Sequence, residues 1–132
     1  MRNIAIYKAT LDNEEIDQLK SVLQAKDDLS KVLEFEEKMV KYIGAKYAIA
    51  TATSTAALHL ALSSMRLKRG DKVLMSVNSF VNLPETVRHF DAEPIFVDIN
   101  LEDMNLDIEK FEEAIIANKS KKLRAAIITF IG

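Results

Sequence analysis

The 132-residue sequence contains no cysteine and no tryptophan, and only 3 glycines and 2 prolines. The absence of cysteine excludes disulfides, zinc–thiolate sites and thiol nucleophiles, and it suits the reducing cytoplasm that we expect as the location. With 48% hydrophobic and 29% charged residues, the composition is typical of a helix-rich globular protein and not of a disordered chain.

Long apolar runs and an excess of one charge are also absent. No stretch approaches the roughly 20 apolar residues of a membrane span, and the start MRNIAIYKAT lacks the apolar core of a signal peptide. A formal net charge of -2 gives no electrostatic reason to expect a nucleic acid or an anionic membrane as a partner. Two basic clusters, at residues 66–69 and 119–124, contain no interleaved aromatics, and we interpret both as solvated surface.

The apolar pattern predicts two amphipathic helices followed by alternating strands and helices. The first helix is predicted over residues 13–25 with Asp12 as its cap, and the second ends at Gly44. Beyond them, strands are predicted at residues 47–50, 72–76, 94–98 and 125–131, and helices at residues 55–66, at residues 83–90 and directly after Asp107.

This order of elements is typical of an α/β fold, with a mostly parallel sheet covered by helices. The helix at residues 55–66 is apolar nearly all round, and the strands are continuous apolar runs, so we expect both to be buried. We interpret residues 1–132 as a single domain. Residues 1–45 supply its N-terminal helices, and residues 46–132 supply the sheet portion.

The turn Thr53-Ser54-Thr55 is the strongest candidate site. It leads from a predicted strand into an apolar helix, so it places hydroxyl groups and unpaired N–H groups where the helix dipole favours an anion. Parallel sheets bind ligands outside the carboxyl ends of their strands, and this turn lies there. The simpler alternative is plain N-capping. No G-x-G-x-x-G or G-x-x-x-x-G-K-[ST] motif supports a dinucleotide site or a nucleoside triphosphatase.

Four further residues are candidates with equally simple alternatives. Phe80 follows the second strand and could stack on a flat cofactor ring, or pack in the core. Asp98 ends the third strand and could contact a ligand, or form a turn. His59 and His89 fall within predicted helices with no second histidine or cysteine nearby, so no metal site is predicted. We interpret His59 as a partly buried helix residue.

Six segments, in order, resemble the N-terminal part of the sugar aminotransferases of the DegT–DnrJ–StrS type. They are LEFEEKMVKYIGAKYAIA (33–50), TSTAALHLAL (53–62), RGDKVLMSVNSFVN (69–82), AEPIFVDI (92–99), MNLDIEKFEEAI (104–115) and AAIITFIG (125–132). These enzymes have the aspartate aminotransferase fold, fold type I, and use pyridoxal 5'-phosphate. The resemblance implies that the chain is the N-terminal portion of the large domain of such a transferase.

The resemblance also implies roles for particular residues. The family usually has Ser-Gly-Thr where this sequence has Thr53, Ser54 and Thr55, which would bind the cofactor phosphate, and Phe80 would stack on the pyridine ring. The implied activity moves an amino group from glutamate to a nucleotide-linked keto-sugar, in the synthesis of polysaccharides or antibiotic sugars. The implied assembly is a homodimer. The family tends to have glycine at Asp91, so the sequence departs from the family pattern there as well.

No catalytic residue is assigned to this chain by the resemblance. The family's cofactor-binding lysine and the aspartate that pairs with the pyridine nitrogen both follow the segment matched by residues 125–132. We therefore expect that these 132 residues alone are a truncated form that cannot transaminate, and that an exposed apolar edge favours self-association.

Three alternatives stay open. The first is a sugar dehydratase relative, in which histidine replaces the lysine. The second is a non-catalytic remnant that folds, dimerises or binds a full-length partner. The third is an unrelated nucleotide-binding α/β module.

Overall fold

The computed structural model of the chain describes residues 9–25 and 29–131. Residues 1–8, where the sequence predicts no signal peptide, lie outside these ranges. The described helices are α1 (Asn13–Ala25), α2 (Ser30–Ile43), α3 (Ser54–Ser64), α4 (Asn82–Arg88) and α5 (Ile108–Ala117). The described strands are β1 (Lys72–Ser76), β2 (Glu93–Val97) and β3 (Leu123–Ile127). None of the helices in these ranges has the length and apolar character that crossing a membrane requires.

The chain divides into two compact units, Met1–Ala50 and Thr51–Gly132. In the first unit, local signals define the helix ends. The Asp12 carboxylate accepts a hydrogen bond from the Glu14 N–H at 2.8 Å, and the Glu15 carboxylate accepts one from the Asp12 N–H at 2.7 Å, as in a capping box. Helix α2 ends at Gly44, which has a left-handed φ of 73°. Both predicted boundaries are confirmed.

An exposed ion-pair network reinforces α2. The Glu34 carboxylate lies 2.8 Å from Lys31 Nζ and 2.6 Å from Lys38 Nζ, one helical turn away in each direction. Hydrogen bonds from these two ammonium groups, Lys31 first, lower the pKa of Glu34 to about 2. The carboxylate therefore stays ionised, and its pairing persists, well into the acid range.

The second unit is built on a parallel three-stranded sheet in the order β2-β1-β3. Leu74 of the central strand lies opposite Ile95 of β2 and Ala126 of β3. Alternate residues of β1 face opposite sides of the sheet. The predicted parallel α/β fold is thereby confirmed.

Helices cover both faces of this sheet. The cluster on one face joins β1 to α3 and α4 and contains Leu62, Val73, Met75 and Val87. The cluster on the other face joins the sheet to α5 and contains Leu74, Val97, Leu106, Phe111 and Ala114. Because β1 contributes to both clusters, it is the strand from which water is most completely excluded.

The predicted strand at residues 47–50 is wrong. These residues form no strand, and Tyr47 and Ile49 are exposed. The Ala50 N–H donates to the Glu36 carboxylate at 2.7 Å. An apolar run becomes a strand only where another strand offers backbone partners. The described sheet therefore has three strands where the pattern predicted four, and its last strand is Leu123–Ile127 in place of residues 125–131.

The expectation that α3 and all the strands are buried is also wrong. Leu62 is the one buried residue of α3, and Leu60 is 47% exposed. Apart from the buried Val97 of β2, strands β2 and β3 mix exposed and half-buried residues. Of the described strands, only β1 is buried along nearly its whole length. Composition sets how much apolar surface an element carries, but burial also needs a second surface packed against it.

Candidate functional site

The turn before α3 places hydroxyl groups at the N-terminus of an apolar helix. Thr53 is the N-cap, and its Oγ1 accepts a hydrogen bond from the Ala56 N–H at 3.1 Å. The Thr53 carbonyl accepts a bond from the Ala57 N–H, also at 3.1 Å. Thr53 therefore caps α3. It leaves room for a ligand, because the cap uses a lone pair of the hydroxyl and not its proton.

The first N–H groups of α3 add donors to these hydroxyls. Between residues 51 and 131 the structure shows no hydrogen-bond partner for the N–H of Ser54 or Thr55, as the geometry of a first helical turn requires. The helix dipole adds partial positive charge there. Ser54 is not among the described non-glycine residues with positive φ, which are Arg66, Asp91 and Met104. Serine in place of the family's glycine therefore imposes no backbone strain.

Asn82, which the sequence analysis missed, joins this turn to α4. Its Nδ2 donates a hydrogen bond to Thr55 Oγ1 at 2.8 Å. Its Oδ1 is inaccessible to water and has no hydrogen-bond partner among the described residues. Because this buried amide oxygen lacks a hydrogen bond, the position of Asn82 costs free energy. The available signal was a polar residue two positions after Phe80.

Ser54 and Phe80 line the same cavity. Its volume is about 340 Å³, and its walls are formed by Ser54, Leu58, Phe80, Asn82, Leu83 and Ile127. Small-molecule sites commonly have volumes of about 300–1,000 Å³. Phe80 also borders a second cavity of about 410 Å³. The structure therefore brings the Phe80 ring beside the residue at the start of α3, 26 positions earlier in the chain.

The interpretation of Phe80 as a core residue is wrong. Its side chain is 82% exposed. The residue lies in the loop between β1 and α4, where its carbonyl accepts a hydrogen bond from the Leu83 N–H at 3.0 Å. An aromatic ring with this exposure at a cavity edge is available for stacking on a ligand.

Asp98 is engaged in local interactions, as the turn interpretation predicts. Its Oδ2 lies 2.7 Å from Lys110 Nζ, and its Oδ1 accepts a hydrogen bond from the Ile99 N–H at 2.9 Å. The Lys110 ammonium, followed by the Ile99 N–H, lowers the pKa of Asp98. Asp98 lines neither of the cavities that Phe80 borders.

The two histidines lie near each other on α3 and after α4. Their ring centroids are 6.0 Å apart, and the His59 ring lies 4.8 Å from the Phe90 ring. Both histidines are exposed, so the interpretation of His59 as partly buried is wrong, for the same reason as for α3 as a whole. In the part of the chain that the structure describes, no three His, Cys, Asp or Glu residues form a group that could hold a metal ion.

The second unit has an α/β fold, and its candidate site joins the N-terminus of α3 to the exposed Phe80 ring. Residues 9–130 match the sequence model of the DegT/DnrJ/EryC1/StrS aminotransferase family. The chain belongs to this family, and the resemblance inferred from its sequence is confirmed.

Individual relatives agree with this assignment. The spore coat polysaccharide biosynthesis protein SpsC of Bacillus subtilis is 39% identical over 85 residues, which are 64% of this chain and 22% of that protein. The UDP-2-acetamido-2-deoxy-3-oxo-D-glucuronate aminotransferase of Pseudomonas aeruginosa is 36% identical over 84 residues, 64% of this chain and 23% of that protein.

A solved structure has the same fold. The GDP-4-keto-6-deoxy-D-mannose-3-dehydratase of Escherichia coli, with bound hydrated pyridoxal phosphate, has a TM-score of 0.86 at 26% identity. The alignment covers 97% of this chain and 34% of that one. This chain therefore spans about a quarter to a third of the length of these proteins, and the expected α/β fold of the pyridoxal phosphate-dependent transferases is confirmed.

The backbone conformation at residue 91 accommodates the departure from the family pattern there. Asp91, where the family tends to have glycine, has a positive φ of 53°. Its carbonyl accepts a hydrogen bond from the Gly70 N–H at 3.0 Å. Glycine adopts this conformation without steric cost, and aspartate is one of the residues that tolerate it best. The turn before β2 is therefore kept.

Proposed function

We propose that this chain forms the phosphate-binding and ring-binding part of a pyridoxal phosphate-dependent aminotransferase. Its substrates would be a nucleotide-linked keto-sugar and glutamate, in polysaccharide or deoxyamino-sugar biosynthesis. The observation that carries the proposal is that the start of α3 and the Phe80 ring meet at one cavity. The names of two relatives, a nucleotide-sugar aminotransferase and a polysaccharide biosynthesis protein, support the substrate class. The cysteine-free sequence supports a cytoplasmic location.

The residues present fit the phosphate. Thr53 and Thr55 each accept a hydrogen bond through Oγ1, so each keeps its hydroxyl proton for a phosphate oxygen. The N–H groups of Ser54 and Thr55 supply two further donors at the positive end of the helix dipole. All of these donors are neutral groups, so the dipole and the hydrogen bonds together would hold the anion.

The exposed Phe80 ring fits the pyridine ring of the cofactor. Its face would stack on the pyridine ring and exclude water from one side of it. When bound, pyridoxal phosphate supplies the electron sink that amino-group transfer requires. Transamination also needs an amine that holds the cofactor and moves a proton. Among the residues that the structure describes, no lysine lines either cavity beside Phe80. We propose that these 132 residues bind the cofactor without transaminating.

Replacing Phe80 with alanine tests the proposal. Isothermal titration calorimetry of this chain is expected to show binding of pyridoxal phosphate and much weaker binding of pyridoxal, which lacks the phosphate. Phe80→Ala is expected to weaken binding of the phosphorylated form about two- to twelvefold, since an aromatic stack contributes about 0.5–1.5 kcal/mol. Glutamate added to the complex is expected to convert no cofactor to pyridoxamine phosphate at an enzymatic rate.

Phe96→Ala is the matched control, because Phe96 is 53% exposed on β2 and lines neither cavity. Its affinity for pyridoxal phosphate should equal that of the unmodified chain. Equal affinities for pyridoxal and its phosphate would contradict the role of the α3 N-terminus. An unchanged affinity in Phe80→Ala would contradict stacking.

A second candidate function is dehydration of a nucleotide-linked keto-sugar. The likeness to GDP-4-keto-6-deoxy-D-mannose-3-dehydratase favours it. The phosphate and ring contacts proposed above serve both reactions, and the family resemblance implies that lysine or histidine at the covalent position separates them. Sequencing the coding DNA past the Gly132 codon therefore distinguishes the aminotransferase from the dehydratase. A lysine at that position supports the aminotransferase, a histidine supports the dehydratase, and an immediate stop codon supports a binding role alone.

We further propose that the chain forms a homodimer. Helices α1 and α2 bury no residue within the described structure, and apolar side chains such as Leu19 and Leu23 are more than half exposed. Apolar surface of this extent marks interfaces between proteins. Sedimentation velocity at micromolar concentration is expected to show a dimer. A species that remains monomeric at every concentration tested would disprove the homodimer.

A further inference from the structure

We infer that Asn82 is a positioning residue that directs the Thr55 hydroxyl proton toward the bound phosphate. The inference rests on the proposed function, because it concerns the same helix N-terminus. It adds a residue from a different helix, 27 positions further along the chain, whose contact with Thr55 arises only in the folded structure.

The hydrogen bond from Asn82 leaves the proton of the Thr55 hydroxyl unused. A threonine hydroxyl has one proton to donate and two lone pairs that accept. Asn82 Nδ2 donates to Thr55 Oγ1 at 2.8 Å, so the proton of that hydroxyl cannot be used in the same contact. Within the second unit, as far as residue 131, the hydroxyl donates to no other group. The proton is therefore held for an acceptor outside the chain, and an anion at the α3 N-terminus is such an acceptor.

The Asn82 amide is oriented with its nitrogen toward Thr55. Asn82 Oδ1 is shielded from water and has no hydrogen-bond partner among the described residues. If the amide were turned by half a rotation, Oδ1 would accept the Thr55 proton and remove it from the site. With Nδ2 in contact with Thr55 Oγ1, the amide preserves Thr55 as a donor, while Oδ1 lies where water is excluded. Asn82 also lines the cavity shared by Ser54 and Phe80.

The helix that carries Asn82 is anchored in the core. Asn82 is the first residue of α4, and its carbonyl accepts a hydrogen bond from Thr86 Oγ1 at 2.6 Å. Thr86 and Val87 are both buried, and Val87 belongs to the cluster that joins α3, α4 and β1. The amide thus projects from an element that is fixed in the core, as a positioning residue requires.

Amide chemical-shift titration of the ¹⁵N-labelled chain with inorganic phosphate, and separately with pyridoxal phosphate, tests the inference. The unmodified chain should shift the Ser54 and Thr55 amide resonances. Asn82→Ala is expected to weaken phosphate binding about fivefold, the range of a single neutral hydrogen bond. Asn82→Asp is expected to weaken it by about tenfold or more, because its carboxylate accepts the Thr55 proton and adds negative charge beside the anion.

A double-mutant cycle separates positioning from a general structural role. Thr55→Val removes the hydroxyl at nearly constant shape and is expected to weaken binding about tenfold or more, because the lost hydrogen bond is one to a charged group. If Asn82 acts through Thr55, then Asn82→Ala in the Thr55→Val background has no further effect on phosphate affinity. Melting temperatures and dispersed amide spectra establish that each variant is folded. If Asn82→Asp does not fold, Asn82→Ala and the double-mutant cycle are sufficient to test the inference.

The outcomes separate this inference from the proposed function. No phosphate-induced shift of Ser54 and Thr55 in the unmodified chain would overturn both. Phosphate binding that is unaffected by Asn82→Ala, or effects of the two substitutions that multiply in the double variant, would overturn the role of Asn82 alone. Loss of affinity in each single variant, with no further loss in the double variant, supports it.

Discussion

Replacing Thr53 with alanine is expected to weaken pyridoxal phosphate binding about tenfold or more, because a hydrogen bond to a charged group contributes about 1.5–3 kcal/mol. The same change removes the N-cap of α3, whose Oγ1 accepts from the Ala56 N–H at 3.1 Å, and is expected to cost about 1 kcal/mol of folding stability. Calorimetric titration gives the affinity, and urea unfolding followed by circular dichroism gives the stability.

Asp107→Ala provides the matched control for the loss of a cap. Asp107 is the N-cap of α5, and its Oδ1 accepts from the Lys110 N–H at 3.0 Å, but it lines neither cavity beside Phe80. It should lose a similar amount of stability and retain the affinity for pyridoxal phosphate. If Asp107→Ala weakens binding as much as Thr53→Ala does, the effect is one of folding, and the phosphate contact of Thr53 is refuted.

Thr53→Ser gives a third comparison at the same position. Serine keeps the hydroxyl that both caps α3 and would donate to phosphate, so this variant should bind pyridoxal phosphate as the unmodified chain does. Serine is also the residue that the family usually has there. A Thr53→Ser variant as weak as Thr53→Ala would show that the threonine methyl group, and not the hydroxyl, is responsible.

Replacing Leu74 with alanine is expected to have the largest effect on stability. Leu74 lies at the centre of β1, is 1% exposed and packs in the cluster that joins the sheet to α5. Truncating a buried leucine costs about 2–5 kcal/mol, because the apolar contacts are lost and a cavity is left. Since domains are stable by only about 5–15 kcal/mol, the urea midpoint should fall steeply.

Phe96→Ala serves as the comparison for this prediction also. Phe96 lies on the neighbouring strand β2, opposite Met75, and is 53% exposed. Phe96→Ala removes more carbon atoms than Leu74→Ala does. Its effect on the free energy of unfolding should nevertheless be smaller, because much of the Phe96 ring already contacts water. Equal losses of stability in the two variants would contradict a core centred on β1.

Local sequence signals were sufficient for several parts of this fold. The cap of α1 at Asp12 and the end of α2 at Gly44 depend on hydrogen bonds within a few residues of each other. The cap of α5 at Asp107 and the span of β1 follow from similarly short patterns. Such interactions depend only on residues that are close together in the sequence, so the sequence predicts them well.

The candidate site was predictable in part, for the same reason. The hydroxyl groups of residues 53–55 belong to one helix start, which a strand-turn-helix pattern reveals. Asn82 was missed, because its hydrogen bond to Thr55 joins residues that are 27 positions apart. Whether Phe80 would be a core residue or a cavity wall also depended on which elements surround it.

By itself, the sequence determined the parallel α/β class, the family and the local helix ends of this protein. Only the tertiary structure decided that residues 47–50 form no strand, that α3 is largely exposed, that Phe80 borders a cavity beside Ser54, and that Asn82 contacts Thr55. The physical reason is that helix ends arise from neighbouring residues. Strand pairing, burial and cavities instead require two surfaces that meet only after the chain has folded.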